Sequence, residues 1–72
     1  MYLKRLRDLR EDNDYTQRYI AKILHMDQRQ YSRYELGTYE IPLECLIKLA
    51  KLYNVSLDYI VGLTDKKKTT IK

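Results

Sequence analysis

Apolar residues recur along this chain at helical spacing, in short stretches separated by capping residues. Leu3, Leu6 and Leu9 stand among Lys4, Arg5, Arg7, Asp8 and Arg10, a spacing of three that puts the leucines on one side of a helix. Asn13 and Asp14 end that helix. Tyr15 to Leu24 is a second helix, with Thr16 as N-cap and Ile20, Ala21 and Leu24 facing inward. Tyr15 and Ile20 form a hydrophobic staple that sets the angle at which the chain enters. Asp27 caps a third helix, where Met26 and Tyr31 repeat the staple. Tyr31, Tyr34 and Glu35 lie on its inner side, and Gly37 suits the left-handed residue that closes it. Thr38 to Pro42 is a loop. Pro42 marks the start of a fourth helix, with Leu46, Ile47, Ala50 and Tyr53 inward and Asn54 at its end. Ser56 caps a short fifth helix, Val55 and Ile60 make a third staple, and Gly62 stops it. No strand signal of any strength accompanies these patterns. The expectation is an all-α fold, a compact five-helix bundle over residues 1–63, followed by a basic, disordered tail over residues 64–72.

Seventy-two residues make one domain at most. Such a chain buries only roughly 60% of its unfolded surface, so dimerisation would add stability. It lacks a long apolar run, and the N-terminus MYLKRLRDLRED is charged and helical in pattern, so neither a transmembrane helix nor a signal peptide is expected. The single cysteine, Cys45, has no internal partner for a disulfide, which fits a reducing, cytoplasmic setting.

Charge sharpens the picture through its distribution. Net charge is +4. Residues 1–15 balance four basic against four acidic groups, and residues 38–63 are slightly acidic. Residues 16–37 carry Arg18, Lys22, Arg29 and Arg33 against Asp27 and Glu35, and the tail holds four lysines against Asp65. An excess placed that way suits a polyanion partner. The bland alternative is a solvated surface with a loose basic tail.

The third helix carries the candidate chemistry. Its exposed face pairs Gln28 with Ser32 and Arg29 with Arg33, one turn apart. Glutamine pairs bidentately with adenine N6 and N7, and arginine with guanine O6 and N7, each good pair contributing roughly 1–3 kcal/mol of discrimination. These residues sit at the N-terminal end of the helix, the end that reaches base edges in helix-turn-helix proteins. Gln17 opens the second helix, where free N–H groups and the positive dipole end suit a phosphate, and its amide can also brace a neighbouring side chain.

Other residue types point elsewhere or nowhere. A lone histidine, His25, with no Cys or His cluster, is a turn residue and not a metal ligand. The eight tyrosines accompany no Phe or Trp. Tyr31, Tyr34 and Tyr53 are core candidates, while Tyr2, Tyr19 and Tyr39 look exposed. Their spread over several helices favours core and surface filling over a stacking platform for single strands. Cys45 fits a small, partly buried position of the fourth helix. An enzyme is poorly supported: no nucleophile stands near a base, and no carboxylate pair, metal spacing or glycine-rich phosphate loop is present, so no cofactor is expected.

Thr16-Gln17-x-x-Ile20-Ala21, Met26-Asp27-Gln28, Tyr34-Glu35-x-Gly37 and Pro42, with the segment Asn54-Val55-Ser56-Leu57-Asp58-Tyr59-Ile60-Val61-Gly62, together resemble the Cro and repressor type of helix-turn-helix domain, the XRE family. The likeness covers roughly residues 3–63. It implies a five-helix, lambda-repressor-like domain of bacterial or phage origin that binds operator DNA as a dimer, third helix in the major groove. Gln28 and Arg29 would then be the main base readers, with Ser32 and Arg33 secondary. Gln17 would contact phosphate and support the recognition helix, joined by Arg18, Arg10, Thr38 and Tyr39 as further phosphate or support candidates. Arg10 and Glu35 match a pair that often joins the first and third helices, and an inward-facing Glu35 needs such a partner. This chain departs from the pattern at His25, where glycine is usual, although histidine tolerates positive φ better than most residues. Leu36 replaces a common asparagine, Leu43 stands where a serine cap is frequent, and the loop after Gly37 carries Glu40 where relatives are often basic.

Two functions follow as expectations. The first is a transcription regulator, a repressor, binding a near-palindromic double-stranded site as a homodimer through Leu57, Tyr59, Ile60 and Leu63, associated with the nucleoid. The second is a protein-interaction module, such as an antitoxin or regulator-binding subunit.

Overall fold

The computed structural model describes residues 2–67. Five helices follow one another: α1 (Lys4–Asp12), α2 (Gln17–Ile23), α3 (Gln28–Leu36), α4 (Leu43–Tyr53) and α5 (Leu57–Val61). No strand occurs among the described residues. Leu3, Leu6 and Leu9 are buried, as their spacing requires, and they meet Ile20, Ala21 and Leu24 from α2, Tyr31 from α3, Cys45, Leu46, Leu49 and Ala50 from α4 and Ile60 from α5. The outer face of α1 is tied by Lys4–Asp8 and Arg7–Glu11 pairs at 2.7 and 3.1 Å, one turn apart. Such exposed pairs add little to stability, because water and salt screen both charges.

The connections between helices share one device. After each helix the chain passes through a residue with left-handed backbone: Asp14 (φ +57°), His25 (+59°), Gly37 (+81°), Asn54 (+56°) and Gly62 (+87°). At each of these points the amides of the left-handed residue and its successor turn back onto the carbonyls of the last turn. At α2, for example, His25 N donates to Lys22 O at 3.2 Å and Met26 N to Ala21 O at 3.0 Å. This two-bond closure satisfies carbonyls that a helix end would leave orphaned. In Asp14-Tyr15-Thr16, His25-Met26-Asp27 and Asn54-Val55-Ser56 the next two residues start the following helix. Tyr15, Met26 and Val55 pack against the core, and Thr16, Asp27 and Ser56 accept from the amides of Tyr19, Gln30 and Tyr59 at 3.0, 2.9 and 3.0 Å. Three residues thus end one helix, anchor the chain and begin the next, leaving no slack between α2 and α3. α4 lacks this start: Pro42 precedes it with no side-chain cap bond, as Leu43 in place of a capping residue led one to expect.

Two positions differ from the sequence reading. Ile47 was expected inside, yet it is 37% exposed, and Leu49 is fully buried in its place. α4 is apolar over much of its circumference, so its own pattern does not say which side a neighbour will cover. Ile60, expected at a dimer surface, is only 1% exposed. It lies in the core of its own chain and holds α5 from within.

The segment after α5 returns to the body. Arg5 on α1 donates to the carbonyls of Tyr59 and Thr64 and to Asp65 Oδ1, its guanidinium lying 4.2 Å over the Tyr59 ring. Ser56 N donates to Lys67 O at 2.6 Å. The rest of the expected disordered tail, residues 68–72, lies outside the described residues.

Candidate nucleic-acid interface

α3 divides cleanly into two faces. Tyr31, Tyr34 and Glu35 are buried, while Gln28, Arg29 and Arg33 are exposed and Ser32 is half-buried. Asp27 accepting from Gln30 N sets the start of the helix, and Gly37 at φ +81° ends it. Between these stops the buried tyrosines fix the rotation of α3 about its axis, which is what holds the polar face outward. Gln30 donates to the Tyr34 hydroxyl at 2.9 Å, so the buried ring also has a polar tether on its own helix.

The inner face rests on a hydrogen-bonded carboxylate. Arg10 Nε donates to Glu35 Oε2 at 3.0 Å and Arg10 Nη2 to Glu35 Oε1 at 2.9 Å, the bidentate fork of two flat groups. Arg10 Nη1 donates to the Tyr15 carbonyl at 3.0 Å. Gln17 Nε2 adds a third donor to Glu35 Oε1 at 3.2 Å. Burial raises the energy of the Glu35 charge, but the hydrogen bonds from Arg10 and Gln17, with the Tyr31 hydroxyl close by, outweigh it and hold the carboxyl below its ordinary range. Burial pushes the Tyr31 hydroxyl up, and the adjacent Glu35 charge adds to the rise. That hydroxyl lies beside the carboxylate without reaching full hydrogen-bond geometry to any partner. Arg10, expected both in the ion pair and as a phosphate contact, has three nitrogens engaged inside the protein. The Arg10–Glu35 pair joins α1 to α3, and Gln17 joins α2 to the same carboxylate.

On the outer side, one open concavity is lined by Gln17, Asp27, Gln28, Arg29, Ser32 and Arg33. It brings together all four residues expected to read bases and the one expected to anchor beside them. Gln17 spends one amide N–H on Glu35 and has a second left to offer outward. Arg18 is exposed outside the residues that line this groove. Thr38 and Tyr39 follow the end of α3, both exposed, with the Arg33 guanidinium 5.6 Å over the Tyr39 ring. Asp27, read from sequence only as a cap, also lines the groove and adds a carboxylate to its wall. Its place one residue before Gln28 was the available signal. No group of His, Cys, Asp and Glu able to hold a metal ion occurs among the described residues. No described helix is long and apolar enough to cross a membrane.

Known proteins are similar to this chain in sequence. The helix-turn-helix family profile matches residues 6–60. The uncharacterized HTH-type transcriptional regulator YobD of Bacillus subtilis is 43% identical over 65 residues, covering 90% of this chain and 58% of that protein. The HTH-type transcriptional regulator ImmR of the same organism is 37% identical, covering 90% of this chain and 51% of the relative. The cryptic phage CTXphi transcriptional repressor RstR of Vibrio cholerae is 36% identical, covering 86% and 56%. The chain thus spans a little over half the length of these relatives. No solved structure matches it. With its profile match over residues 6–60, its five helices and its tight α2–α3 connection, the chain belongs to the helix-turn-helix family of the Cro and repressor type.

Proposed function

We propose that this chain is a DNA-binding transcription regulator whose α3 enters the major groove of a near-palindromic operator, two copies bound per site. The observation that carries the reading is the groove that Gln17 of α2 forms with Gln28, Arg29, Ser32 and Arg33 of α3, a helix whose opposite face is locked by Tyr31, Tyr34 and the Glu35 ion pair. Base readout needs donors held in a fixed frame, because a mobile guanidinium pays ordering entropy on binding and discriminates less. Gln28 and Arg29 sit on the first turn of α3 and take the base-reading role. Ser32 and Arg33, a turn later, reach bases or the flanking backbone. Gln17 spans both tasks, one N–H on the support of α3 and the other toward a phosphate. The family, and the phage relative that is a transcriptional repressor, favour the same role here.

A dimer would use the end of α5. Leu63 is 78% exposed, and Leu57 and Tyr59 are half-buried beside it, whereas Ile60 acts from inside. Half-sites would then lie on one face of the duplex, about 34 Å or one turn apart. Sedimentation on operator DNA checks this, and a strict monomer on a bound site sinks it.

Selection of bound duplexes from a random pool tests the whole reading. The expected result is an enriched sequence with two-fold character, bound at least about 10³ times tighter than unrelated DNA, with affinity falling steeply as salt rises. Binding with no preference at any salt would leave a protein-interaction module as the better account.

A further inference from the structure

Arg33 differs from Arg29, the other groove arginine, in having an aromatic ring beneath it. Its guanidinium carbon lies 5.6 Å from the centroid of the Tyr39 ring. Tyr39 is 53% exposed and stands apart from the residues that build the core. The fold therefore gives it no packing role, yet the backbone places it with care. Gly37 at φ +81° turns the chain back after α3. Thr38 N then donates to the Arg33 carbonyl at 2.9 Å and Tyr39 N to the same carbonyl at 3.4 Å. The ring is thus tethered to Arg33 through main-chain bonds that do not depend on the ring itself.

A guanidinium carries its N–H groups in its plane and none on its face. A carboxylate partner would restrain Arg33 only by occupying those donors. An aromatic face restrains it and leaves every donor free. We infer that Tyr39 is a positioning residue for Arg33, its ring limiting the sweep of the guanidinium so that its edge meets a pair of acceptors on the duplex in a set orientation. The acceptor pair is guanine O6 with N7, or two phosphate oxygens; each accepts both N–H groups of a guanidinium fork. The role is carried by the ring and not by the hydroxyl. This rests on the DNA-binding reading above and gives Tyr39 a supporting part, through its ring, in place of a direct phosphate contact.

The test is a double-mutant cycle on the best duplex from the selection, using Tyr39→Phe, Tyr39→Leu, Arg33→Ala and the Arg33→Ala/Tyr39→Leu double variant, with thermal unfolding as a check on folding. Tyr39→Phe binds within about twofold of the parent. Tyr39→Leu weakens binding by about two- to fivefold, the range of an exposed cation–π contact, and has no further effect once Arg33 is alanine. If Tyr39→Phe loses as much as Tyr39→Leu, the hydroxyl makes the contact and the inference fails. If Tyr39→Leu loses the same with and without Arg33, the two residues are independent and it fails equally. A parent protein with no sequence preference sinks the DNA-reading function instead, a different result from an additive cycle. Repeating the cycle on duplexes altered one base pair at a time identifies the acceptor: a coupling that vanishes with one guanine marks a base, and one that persists through all of them marks phosphate.

Discussion

The Arg10 guanidinium and the Glu35 carboxylate lie edge to edge, with 3.0 and 2.9 Å bonds across two flat groups and only 13% and 4% of their side chains exposed. The pair fastens the outermost helix of the sequence to the helix that presents the groove. Either group left without the other would be a buried charge with no counter-charge. Arg10→Ala or Glu35→Ala should therefore cost about 3–5 kcal/mol in urea unfolding. Replacing both with apolar residues of similar size should cost markedly less than the two single changes together, because no charge is then stranded.

Acid should attack the same point. The carboxyl of Glu35 is held below its ordinary value near 4.5 by the donors around it, against the opposing effect of burial. A group whose folded pKa is depressed contributes stability that is complete above its unfolded value and lost as pH falls through the folded one. Unfolding free energy should be level from neutrality to about pH 5 and then drop. Glu35→Gln should start lower at pH 7 and show a shallower acid slope; an unchanged slope would place the acid sensitivity elsewhere.

Gln28→Ala and Arg29→Ala should each reduce binding to the selected operator by about 1–3 kcal/mol, with a smaller loss on unrelated duplex. Equal losses on both would make these residues electrostatic contacts only. Arg29→Ala should also lower the salt slope if its guanidinium displaces a counterion.

His25 occupies a left-handed conformation at φ +59°, in the turn that joins α2 to α3. A side chain there is strained, while glycine relieves the strain and gives back part of the gain through a more mobile unfolded chain. His25→Gly should raise stability by about 0.5–1 kcal/mol, seen as a few degrees in thermal midpoint, and β-branched His25→Val should lower it. Operator affinity should hold in the glycine variant, because the main-chain closure onto Lys22 and Ala21 does not use the side chain.

Ile60 and Leu63 are three residues apart and should answer different experiments. Ile60→Ala removes a fully buried side chain and should cost about 2–5 kcal/mol of folding stability. Leu63→Asp should leave the folded monomer within about 0.5 kcal/mol and weaken two-copy binding to the operator. A large stability loss in Leu63→Asp would mean that its exposed position in the isolated chain is covered by something within the fold.

Local chemistry made much of this protein legible. Leucines three apart, the caps Thr16, Asp27 and Ser56, the apolar residue before each cap and the left-handed closures at His25 and Gly37 are decided by neighbours within one turn, so the sequence carries them openly. The two faces of α3 follow from the same local spacing. What depends on packing was not written that way. Only the packing of the other helices, α5 among them, decides that α4 buries Leu49 and exposes Ile47, because both residues are apolar. Ile60 goes inside for the same reason. That the Gln17 amide meets Glu35 and that Arg5 reaches the chain after α5 require segments brought together by the fold. By itself the sequence determined the helices, their ends and the polar face of α3, since those are set by torsional preference and hydrogen bonds a few residues apart. The tertiary structure decided which apolar residues share the core and which donors share an acceptor, since those depend on distances that no spacing along the chain specifies.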